Sequence, residues 1–369
     1  MQYYQILRFK IVVMIYYVAH WDKILLQSRG PIVKYLATSK INAICPIKQK
    51  NELNSFYNHS INWKIDRTKI LDIKGIFNLA SIIKNNGEQN IYHIFTLKSG
   101  ILFMISKFIT KNKSKNILSV TGLGYLFSKN LNAKILRVLI KPIFIFLINK
   151  TFHTIIFQNK SDLRIFSKFT NFKNKSLLIE SSGIKTNEYI QKNTFNKELK
   201  VLMSSRLLID KGIREYVDIA NKNENKRLKF FLSGEIDYGN PKSINDYELQ
   251  NIINNSSVEY LGYIDLRKEL HNYDIIISLS DYEGFSRVLL EAAWVGLFCI
   301  SSLNPGTEFI SYFENSKIII NKDNNQILLY LNNLLNSNLQ ISNKNKKIIS
   351  ENYATSIIAN QFSKLYYLD

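Results

Sequence analysis

The chain has 369 residues, of which 46% are hydrophobic and 12% aromatic, and it carries a formal net charge of +20. This length is too great for one compact core and predicts two domains, while the apolar content excludes wholesale disorder. The basic excess predicts an anionic partner, and phosphorylated ligands or an acidic membrane surface meet that requirement as well as nucleic acid does.

The chain contains only two cysteines, Cys45 and Cys299, and its five histidines show no metal-ligand spacing. Neither a disulfide framework nor a metal cluster is therefore predicted. The apolar N-terminal stretch has no small-residue cleavage site, so we expect no signal peptide. Together these features predict a cytosolic compartment.

The first half of the chain alternates short apolar runs with amphipathic stretches. The stretch IVKYLA, between the first two of these runs, has a helical pattern, and further helical patterns separate the later runs. The strands predicted in this half are residues 9–17, 41–47, 90–95, 115–120 and 154–159.

The most hydrophobic later stretch is residues 136–157, and it has two interpretations. Lys141, Pro142 and Lys150 interrupt it, so it is a poor membrane span. A buried helix followed by a strand is one interpretation. The other is a helix that lies on a bilayer surface, where lysines at its edges reach lipid phosphates.

The second half repeats the alternation of strands and helices. Helical patterns occupy GIREYVDIANK, LRKELHNY and LLEAAWVG. The predicted strands are residues 200–205, 228–234, 257–264, 274–280, 297–302 and 316–321. This rhythm predicts α/β architecture with parallel sheets covered by helices, in two units. The polar stretch from residue 187 onward has no strong pattern and is the candidate linker.

The segment DYEGFSRVLLEAAWVG follows the predicted strand DIIISLS and carries two carboxylates eight positions apart. Ligands of doubly wound sheets bind at the carboxyl ends of strands, where Glu283 is expected in the loop. Glu291 is expected one to two turns into the helix, near the face of Arg287. Unpaired N–H groups from Phe285 to Val288 predict an anion site at the helix N-terminus.

A second cationic segment, SSRLLIDKG, follows the predicted strand KVLMSS. Arg206 and Lys211 flank a turn, and Gly212 opens a helix. Two cations and a helix N-terminus at a strand's carboxyl end can clamp a diphosphate. The alternative is that both residues are solvated loop charges.

The ordered set SSRLLIDKG, LSGEIDYGNP, YLGYID, SLSDYEGFSRVLLEAAWVG and NPGTEFI resembles the family 4 retaining glycosyltransferases of the GT-B fold. Stretches of the first half with weaker similarity, such as IYHIFTLKSG and VTGLGYLFS, resemble sequences of the subgroup that builds bacterial surface polysaccharide on a polyprenyl-diphosphate carrier. The resemblance implies two Rossmann-like domains whose parallel sheets face each other across a cleft.

The resemblance also implies domain boundaries. Residues 1–186 are expected to bind the acceptor, and residues 187–198 to form the linker. Residues 199–349 are expected to bind the nucleotide sugar. Residues 350–369 are expected to form a helix that crosses back to the first domain.

Site roles follow from the resemblance for residues of the second half. Arg206 and Lys211 are expected to hold the donor diphosphate, and Glu291 the ribose. Glu283 is expected to contact hydroxyls of the donor sugar. The backbone of Gly284, Phe285 and Ser286 lies nearby in such enzymes, and Arg287 borders the same cradle. Gly262 and Tyr263 occupy the place of the nucleobase.

The first half supplies three further candidates. His93, Gly122 and Gly124 are expected on the acceptor side of the cleft. A satisfied core histidine is the alternative for His93, and a plain strand-to-helix turn is the alternative for the two glycines. The sequence has no Asp-x-Asp triplet, so neither a metal nor another cofactor is implied.

The resemblance thus implies an enzyme that transfers a hexose or N-acetylhexosamine, with retention, from a nucleotide diphosphate (UDP by preference) to a lipid-linked saccharide. The product would be surface polysaccharide such as O-antigen or capsule. We expect the enzyme at the cytoplasmic face of the inner membrane, bound to anionic lipid but not to nucleic acid. The alternatives are a sugar-nucleotide epimerase of the same architecture and a non-catalytic basic binding protein.

Overall fold

The structure is a computed structural model that describes residues 13–36, 40–69, 71–124, 127, 131–320 and 322–367. It contains two β-sheets flanked by helices, one built from the first half of the chain and one from the second. The predicted strand at residues 9–17 lies partly outside the described residues.

The first sheet has seven strands in the order β3-β2-β1-β4-β5-β6-β7. Strand β1 pairs in parallel with β2 on one side and with β4 on the other. The bounds are β1 Ile15–Val18, β2 Ile41–Cys45, β3 Ser60–Asn62, β4 Ile91–Phe95, β5 Lys115–Val120, β6 Thr154–Phe157 and β7 Lys175–Leu178. The central strands are buried throughout, as expected for parallel strands covered on both faces.

Helices connect these strands, and the longest lies before β6. The bounds are α1 Gly30–Val33, α2 Lys50–Asn54, α3 Ile73–Asn85, α4 Leu97–Thr110, α5 Leu131–Thr151 and α6 Lys160–Thr170, with a π-helical turn at Ile24–Arg29. Helix α5 contains Pro142. Within the described residues, no helix is both long enough and apolar enough to cross a membrane.

The second sheet has six strands in the order β10-β9-β8-β11-β12-β13. Every adjacent pair is parallel. The bounds are β8 Leu199–Ser204, β9 Leu228–Ser233, β10 Val258–Tyr260, β11 Ile275–Ser278, β12 Phe298–Ser302 and β13 Ser316–Ile319. Strands β8 and β11 are neighbours at the centre, so the loops that follow them are adjacent.

Seven helices accompany this second sheet within the described residues. They are α7 Ile213–Asn221, α8 Asp246–Asn255, α9 Leu266–Glu269, α10 Arg287–Val295, α11 Asn324–Leu334, α12 Asn343–Asn352 and α13 Thr355–Tyr367. Short 3₁₀ turns lie at Thr186–Glu188, Ile209–Lys211, Leu270–Asn272 and Glu308–Tyr312. Large apolar clusters fill the interior around the sheet and bury the strand side chains.

Proximity of the backbone divides the chain into two compact units. The first unit contains the described residues within 1–119, 135–156 and 170–176, and the second contains those within 120–134, 157–169 and 177–369. The segments that follow β5 and β6 therefore belong to the second unit. The segment predicted as a linker is packed within that unit, since Lys192 forms a buried ion pair of 2.9 Å with Asp274.

The predicted architecture of two parallel, helix-covered sheets is confirmed. The two edge strands of the first sheet, β3 and β7, are not among the strands predicted from the sequence. Both are short, and their residues are polar or only partly buried, so they lack the apolar run that marks a central strand.

Candidate active site

The loop after β8 carries Arg206 and Lys211. A 3₁₀ turn over Ile209–Lys211 leads into Gly212, whose φ of +82° is readily available only to glycine. A Cβ at Gly212 would lie 2.4 Å from Leu279 Cβ, so a larger residue does not fit. Glycine therefore allows the turn that bears Lys211 to pack directly against the end of β11.

The loop after β11 places Glu283 beside Lys211. The lysine Nζ lies 2.5 Å from Glu283 Oε1, and both side chains are largely buried. This ion pair joins the two loops predicted to form the site. It also leaves the second carboxylate oxygen of Glu283 available to accept a hydrogen bond from a hydroxyl.

Arg206, the second predicted cation, points to a different carboxylate. Its Nη1 lies 2.7 Å from Asp237 Oδ2, and its side chain is 47% exposed while that of Asp237 is buried. Two hydrogen bonds hold Asp237 in place. Its backbone N–H donates to Ser243 Oγ, and Asn240 Nδ2 donates to Asp237 Oδ2. Arg206 is thus oriented by a fixed carboxylate and remains accessible to solvent.

Helix α10 presents the N-terminus predicted to bind an anion. Ser286 is its N-cap but makes no capping hydrogen bond, and the first turn contains no acidic residue. The Ser286 hydroxyl is buried and has no partner among the described residues. The helix therefore begins with backbone amide groups suited to a phosphate oxygen, whereas the Ser286 hydroxyl is buried away from the surface.

Glu291 lies one turn further along α10 and is held in place by two groups. Arg287 Nη2 lies 2.8 Å from Glu291 Oε1, and the Tyr189 hydroxyl also hydrogen-bonds this carboxylate. Burial opposes the charge of Arg287, but the neighbouring Glu291 outweighs it and raises the arginine pKa. Burial and Glu291 also raise the pKa of Tyr189, so its hydroxyl stays protonated.

Two glycines allow the backbone around Glu283 to pack at close range. A Cβ at Gly284 would lie 1.9 Å from the Thr121 carbonyl oxygen, and one at Gly306 would lie 2.5 Å from the Glu283 carbonyl oxygen. Phe285 stacks on Phe309 with ring centroids 4.2 Å apart, which fixes the other side of the loop. The main chain at Glu283 is therefore enclosed by neighbours.

Residues after β5 and β6, within the second unit, complete this enclosure. The Tyr282 hydroxyl donates to Asp162 Oδ1 and accepts the Leu123 N–H at 3.0 Å. Asn159 Nδ2 donates to the Gly284 carbonyl at 2.8 Å. Burial raises the pKa of Asp162, and burial together with Asp162 raises the pKa of Tyr282.

Gly122 and Gly124 lie in the same segment as Leu123, and both have positive φ. A Cβ at Gly122 would lie 3.4 Å from the Tyr282 ring and 3.6 Å from the Gly284 nitrogen, so Gly122 is part of the enclosure. Gly124 has open space around it. Part of the predicted VTGLGYLFS motif, residues 125, 126 and 128, lies outside the described residues.

Gly262 and Tyr263 follow β10, on the far side of β9 from β8. The Gly262 carbonyl accepts from the Gly234 N–H and from Ser233 Oγ, and its φ of +65° gives the turn its shape. Tyr263 is 68% exposed. The pair thus forms a turn fixed to the end of β9, and its ring is accessible to a ligand.

His93 lies in the core of the first sheet rather than at a surface. Its side chain is fully buried, with Nε2 2.7 Å from Ser119 Oγ and the ring stacked on Phe95. Burial lowers its pKa well below the usual value, so the ring is neutral. This is the satisfied core histidine named as the alternative, and the placement does not support a direct catalytic role because a buried ring cannot touch a substrate.

Several residues of the site receive no role from the sequence alone. They are Asp237, Tyr189, Tyr282, Asp162 and Asn159. Each acts through a partner more than 25 positions away, so no periodicity marks it. The Asn-x-x-Asp spacing of Asn159 and Asp162 is a helix-capping pattern, since Asn159 Oδ1 accepts the Asp162 N–H at 2.7 Å.

His20 is a further unpredicted feature, in the first unit. Its Nδ1 lies 2.9 Å from Ser99 Oγ and 3.2 Å from Thr96 Oγ1, at the carboxyl ends of β1 and β4. Burial, with the nearby charges of Lys98 and Arg67, lowers its pKa to about 3. Thr96 adopts a φ of +79°, which is rare for a β-branched residue.

No group of three or more His, Cys, Asp or Glu side chains that could hold a metal occurs within the part of the chain that the structure describes. The charged groups of the site are instead organised as ion pairs. Metal-independent chemistry stays a prediction.

Residues 185–355 match the family model described as glycosyl transferases group 1. This segment contains all the candidate site residues of the second half. No protein with curated annotation matches the chain by sequence.

Solved structures match the chain over nearly its whole length. HepE of Anabaena, in complex with UDP and glucose, is 15% identical and covers 97% of this chain and 100% of its own, with a TM-score of 0.74. Sucrose-phosphate synthase of Thermosynechococcus elongatus is 13% identical and covers 96% and 98%, with a TM-score of 0.77. A glycosyltransferase of Rickettsia africae is 16% identical and covers 96% and 97%, with a TM-score of 0.70. At these identities the likeness establishes the fold, which is GT-B with two Rossmann-like halves.

Proposed function

We propose that the protein is a glycosyltransferase that takes its sugar from a nucleotide diphosphate donor, with UDP as the expected nucleotide. One observation carries the proposal. The Lys211–Glu283 pair and the uncapped N-terminus of α10 lie together at the carboxyl ends of the adjacent strands β8 and β11. The match of residues 185–355 to group 1 glycosyl transferases and the UDP complex of HepE support it.

In this proposal the diphosphate binds near Lys211, Arg206 and the first turn of α10. Lysine and arginine stabilise the negative charge that develops on the leaving diphosphate, and helix amides add fixed dipoles directed at it. Glu283 accepts hydrogen bonds from donor-sugar hydroxyls. Glu291, held by Arg287 and Tyr189, accepts from ribose hydroxyls. Tyr263 stacks on the base in this proposal, which its 68% exposure supports.

The finer parts of the proposal are retention of configuration, the family 4 assignment and the nature of the acceptor. Retention follows from the resemblance of the ordered motifs, in which a phosphate oxygen of the donor helps to deprotonate the acceptor. The acceptor is proposed to be a saccharide on a polyprenyl diphosphate, and the product an O-antigen or capsule unit. The chain's basic excess suits such an anionic acceptor.

The surface of α5 supports a peripheral position on an anionic membrane. Apolar side chains at helical spacing, Leu131, Ile135, Val138, Leu139, Ile143 and Phe146, are more than half exposed. Lys134 and Lys141 are exposed on the same helix, while Phe144 and Ile148 are buried. An exposed apolar stripe bordered by cations is typical of helices that lie in a lipid interface. In this proposal the protein binds the cytoplasmic face of the inner membrane, where nucleotide sugars are available.

The deciding experiment incubates the purified protein with a panel of nucleotide sugars, with and without a synthetic polyprenyl-diphosphate saccharide, and identifies products by mass spectrometry. Transfer predicts a mass increase of the acceptor by one sugar residue and release of the nucleoside diphosphate. A free epimerised nucleotide sugar, formed without acceptor, would instead establish the epimerase. Failure to bind or convert any donor would overturn the proposal.

A further inference from the structure

We propose that Tyr282 and Asp162 form a positioning pair that holds the Glu283 carboxylate in the position that sugar transfer requires. The inference rests on the proposed function, in which Glu283 contacts the donor sugar. Neither residue is expected to touch the donor. Both belong to the second unit, although Asp162 lies on α6 and Tyr282 in the loop after β11.

The hydroxyl of Tyr282 is fully used by this interaction. It donates to Asp162 Oδ1 and accepts the Leu123 N–H, so its single proton and one lone pair are both engaged. Leu123 stands between two glycines of positive φ, which shape the segment so that its N–H meets the hydroxyl. Tyr282 immediately precedes Glu283, so fixing its ring fixes the peptide that bears the carboxylate.

The peptide on the other side of Glu283 is fixed by a second contact from the same helix end. Asn159 Nδ2 donates to the Gly284 carbonyl, while Asn159 Oδ1 caps α6 by accepting the Asp162 N–H. One asparagine therefore links the start of α6 to the loop. Residues on both sides of Glu283 are anchored by side chains only three positions apart in the sequence.

Close backbone packing removes the remaining freedom of the loop. The space for a Cβ at Gly284 is taken by the Thr121 carbonyl, and Gly306 lies against the Glu283 carbonyl. The main chain is held from both sides, so the Glu283 side chain reaches Lys211 from a fixed origin. A shift of about 1 Å in a group that binds the reacting substrate can cost on the order of 100-fold in rate.

Burial of the Asp162 carboxylate is unfavourable in free energy, which indicates that this residue has a specific role. Its side chain has no exposed surface, and Oδ2 has no partner among the described residues. Burying a carboxylate is unfavourable unless hydrogen bonds satisfy it, and the Tyr282 hydroxyl supplies one such bond to Oδ1. An amide in its place would still accept from Tyr282 through its oxygen, whereas alanine would not.

The test is a double-mutant cycle between Tyr282 and Glu283. The rate of UDP release is measured with the nucleotide sugar that the wild type turns over fastest, and UDP affinity is measured by calorimetry. We expect Tyr282→Phe to lower kcat at least 10-fold and to change UDP affinity less than 2-fold. In a Glu283→Gln background the same substitution should lower kcat less than 2-fold, because the residue whose position it controls is already impaired.

Conservative replacement and a matched control separate positioning from folding. Asp162→Asn should retain several-fold more activity than Asp162→Ala. Both variants should have the oligomeric state of the wild type, and circular dichroism should show that both are folded. Tyr247→Phe removes a hydroxyl from a tyrosine that is 83% exposed and should leave kcat unchanged.

Two kinds of failure are distinguishable. If the wild type turns over donors but the effects of Tyr282→Phe and Glu283→Gln multiply, or UDP affinity falls in parallel with kcat, the positioning role is overturned and the proposed function stands. If the wild type neither binds UDP nor converts any nucleotide sugar, both proposals are overturned.

Discussion

Lys211 Nζ and Glu283 Oε1 lie 2.5 Å apart although 72 positions separate the two residues in the chain. The contact exists because β8 and β11 are parallel neighbours, which places the loops at their carboxyl ends side by side. The Lys211 ammonium, which can bind a phosphate, and the Glu283 carboxylate, which can accept a hydrogen bond from a hydroxyl, are thereby brought together.

Loss of either member of this pair should reduce transfer strongly. We expect Lys211→Ala to lower kcat/KM by about 100- to 1,000-fold, because it removes charge stabilisation of the departing diphosphate. Glu283→Ala should give a comparable loss while preserving the fold. Steady-state kinetics with the preferred donor measures both. Lys222→Ala, which breaks the exposed pair with Asp218, is the control and should leave kcat/KM within 2-fold.

Gly284→Ala should destabilise the second unit through steric conflict. The added Cβ would lie 1.9 Å from a carbonyl oxygen, so the backbone must move, at a typical cost of about 1 to 3 kcal/mol. Chemical denaturation followed by circular dichroism measures this change. Gly87→Ala meets no atom within 4 Å and bears only the penalty of its positive φ, about 1 kcal/mol. Equal effects of the two substitutions would show that the enclosure around residue 284 is absent.

The neutral state of His20 predicts a pH dependence of stability. Its folded pKa of about 3 lies below the ordinary value of 6.5, so between these values the unfolded chain binds more protons. The stabilising contribution of His20 is thus fully present above pH 6.5 and declines as the pH falls toward 3. His20 is partly exposed, so we expect a difference of at most a few kcal/mol.

The free energy of unfolding, measured by denaturant titration at pH 7 and pH 5, tests this dependence. His20→Gln should show a smaller loss of stability on acidification than the wild type. His59→Gln, at an exposed histidine, should show the same loss as the wild type. Identical acid dependence in the wild type and His20→Gln would contradict the burial of a neutral ring at position 20.

The exposed stripe of α5 should bind anionic vesicles. In flotation assays we expect the wild type to float with vesicles that contain acidic lipid and to remain behind with purely zwitterionic ones. Placing Asp at both Val138 and Leu139 should abolish flotation, because a charge in the apolar interface is strongly unfavourable. Leu329→Asp changes a leucine on α11 that is 64% exposed and should have no effect. Equal binding to both vesicle types would contradict electrostatic docking.

The sequence predicts the central parts of this fold better than its edges. Strands β4, β8 and β11 are mostly apolar, with His93 inside β4 and an exposed Lys200 inside β8, because parallel strands covered on both faces are largely buried. Strand β3 consists of Ser60, Ile61 and Asn62 and is defined only by pairing with β2. Its residues alone give no reason to expect a strand.

The candidate site shows the same division. The sequence predicts that Lys211 and Glu283 each lie in a loop after a strand, and the pairing of β8 with β11, which are not consecutive in the chain, brings these two loops together. The contact between Tyr282 and Asp162 depends on the three-dimensional arrangement of segments 120 positions apart, and no local pattern encodes it. Burial of His93 could not be decided from its apolar neighbours, because strand ends and strand interiors share that composition.

The central claim is that Arg206, Lys211 and the N-terminus of α10 bind a diphosphate. Calorimetric titration of the wild type and of an Arg206→Ala/Lys211→Ala variant with UDP and with uridine tests it most directly. We predict that the variant loses at least 100-fold in affinity for UDP while its affinity for uridine is unchanged. An unchanged affinity for UDP in a folded variant would contradict the account.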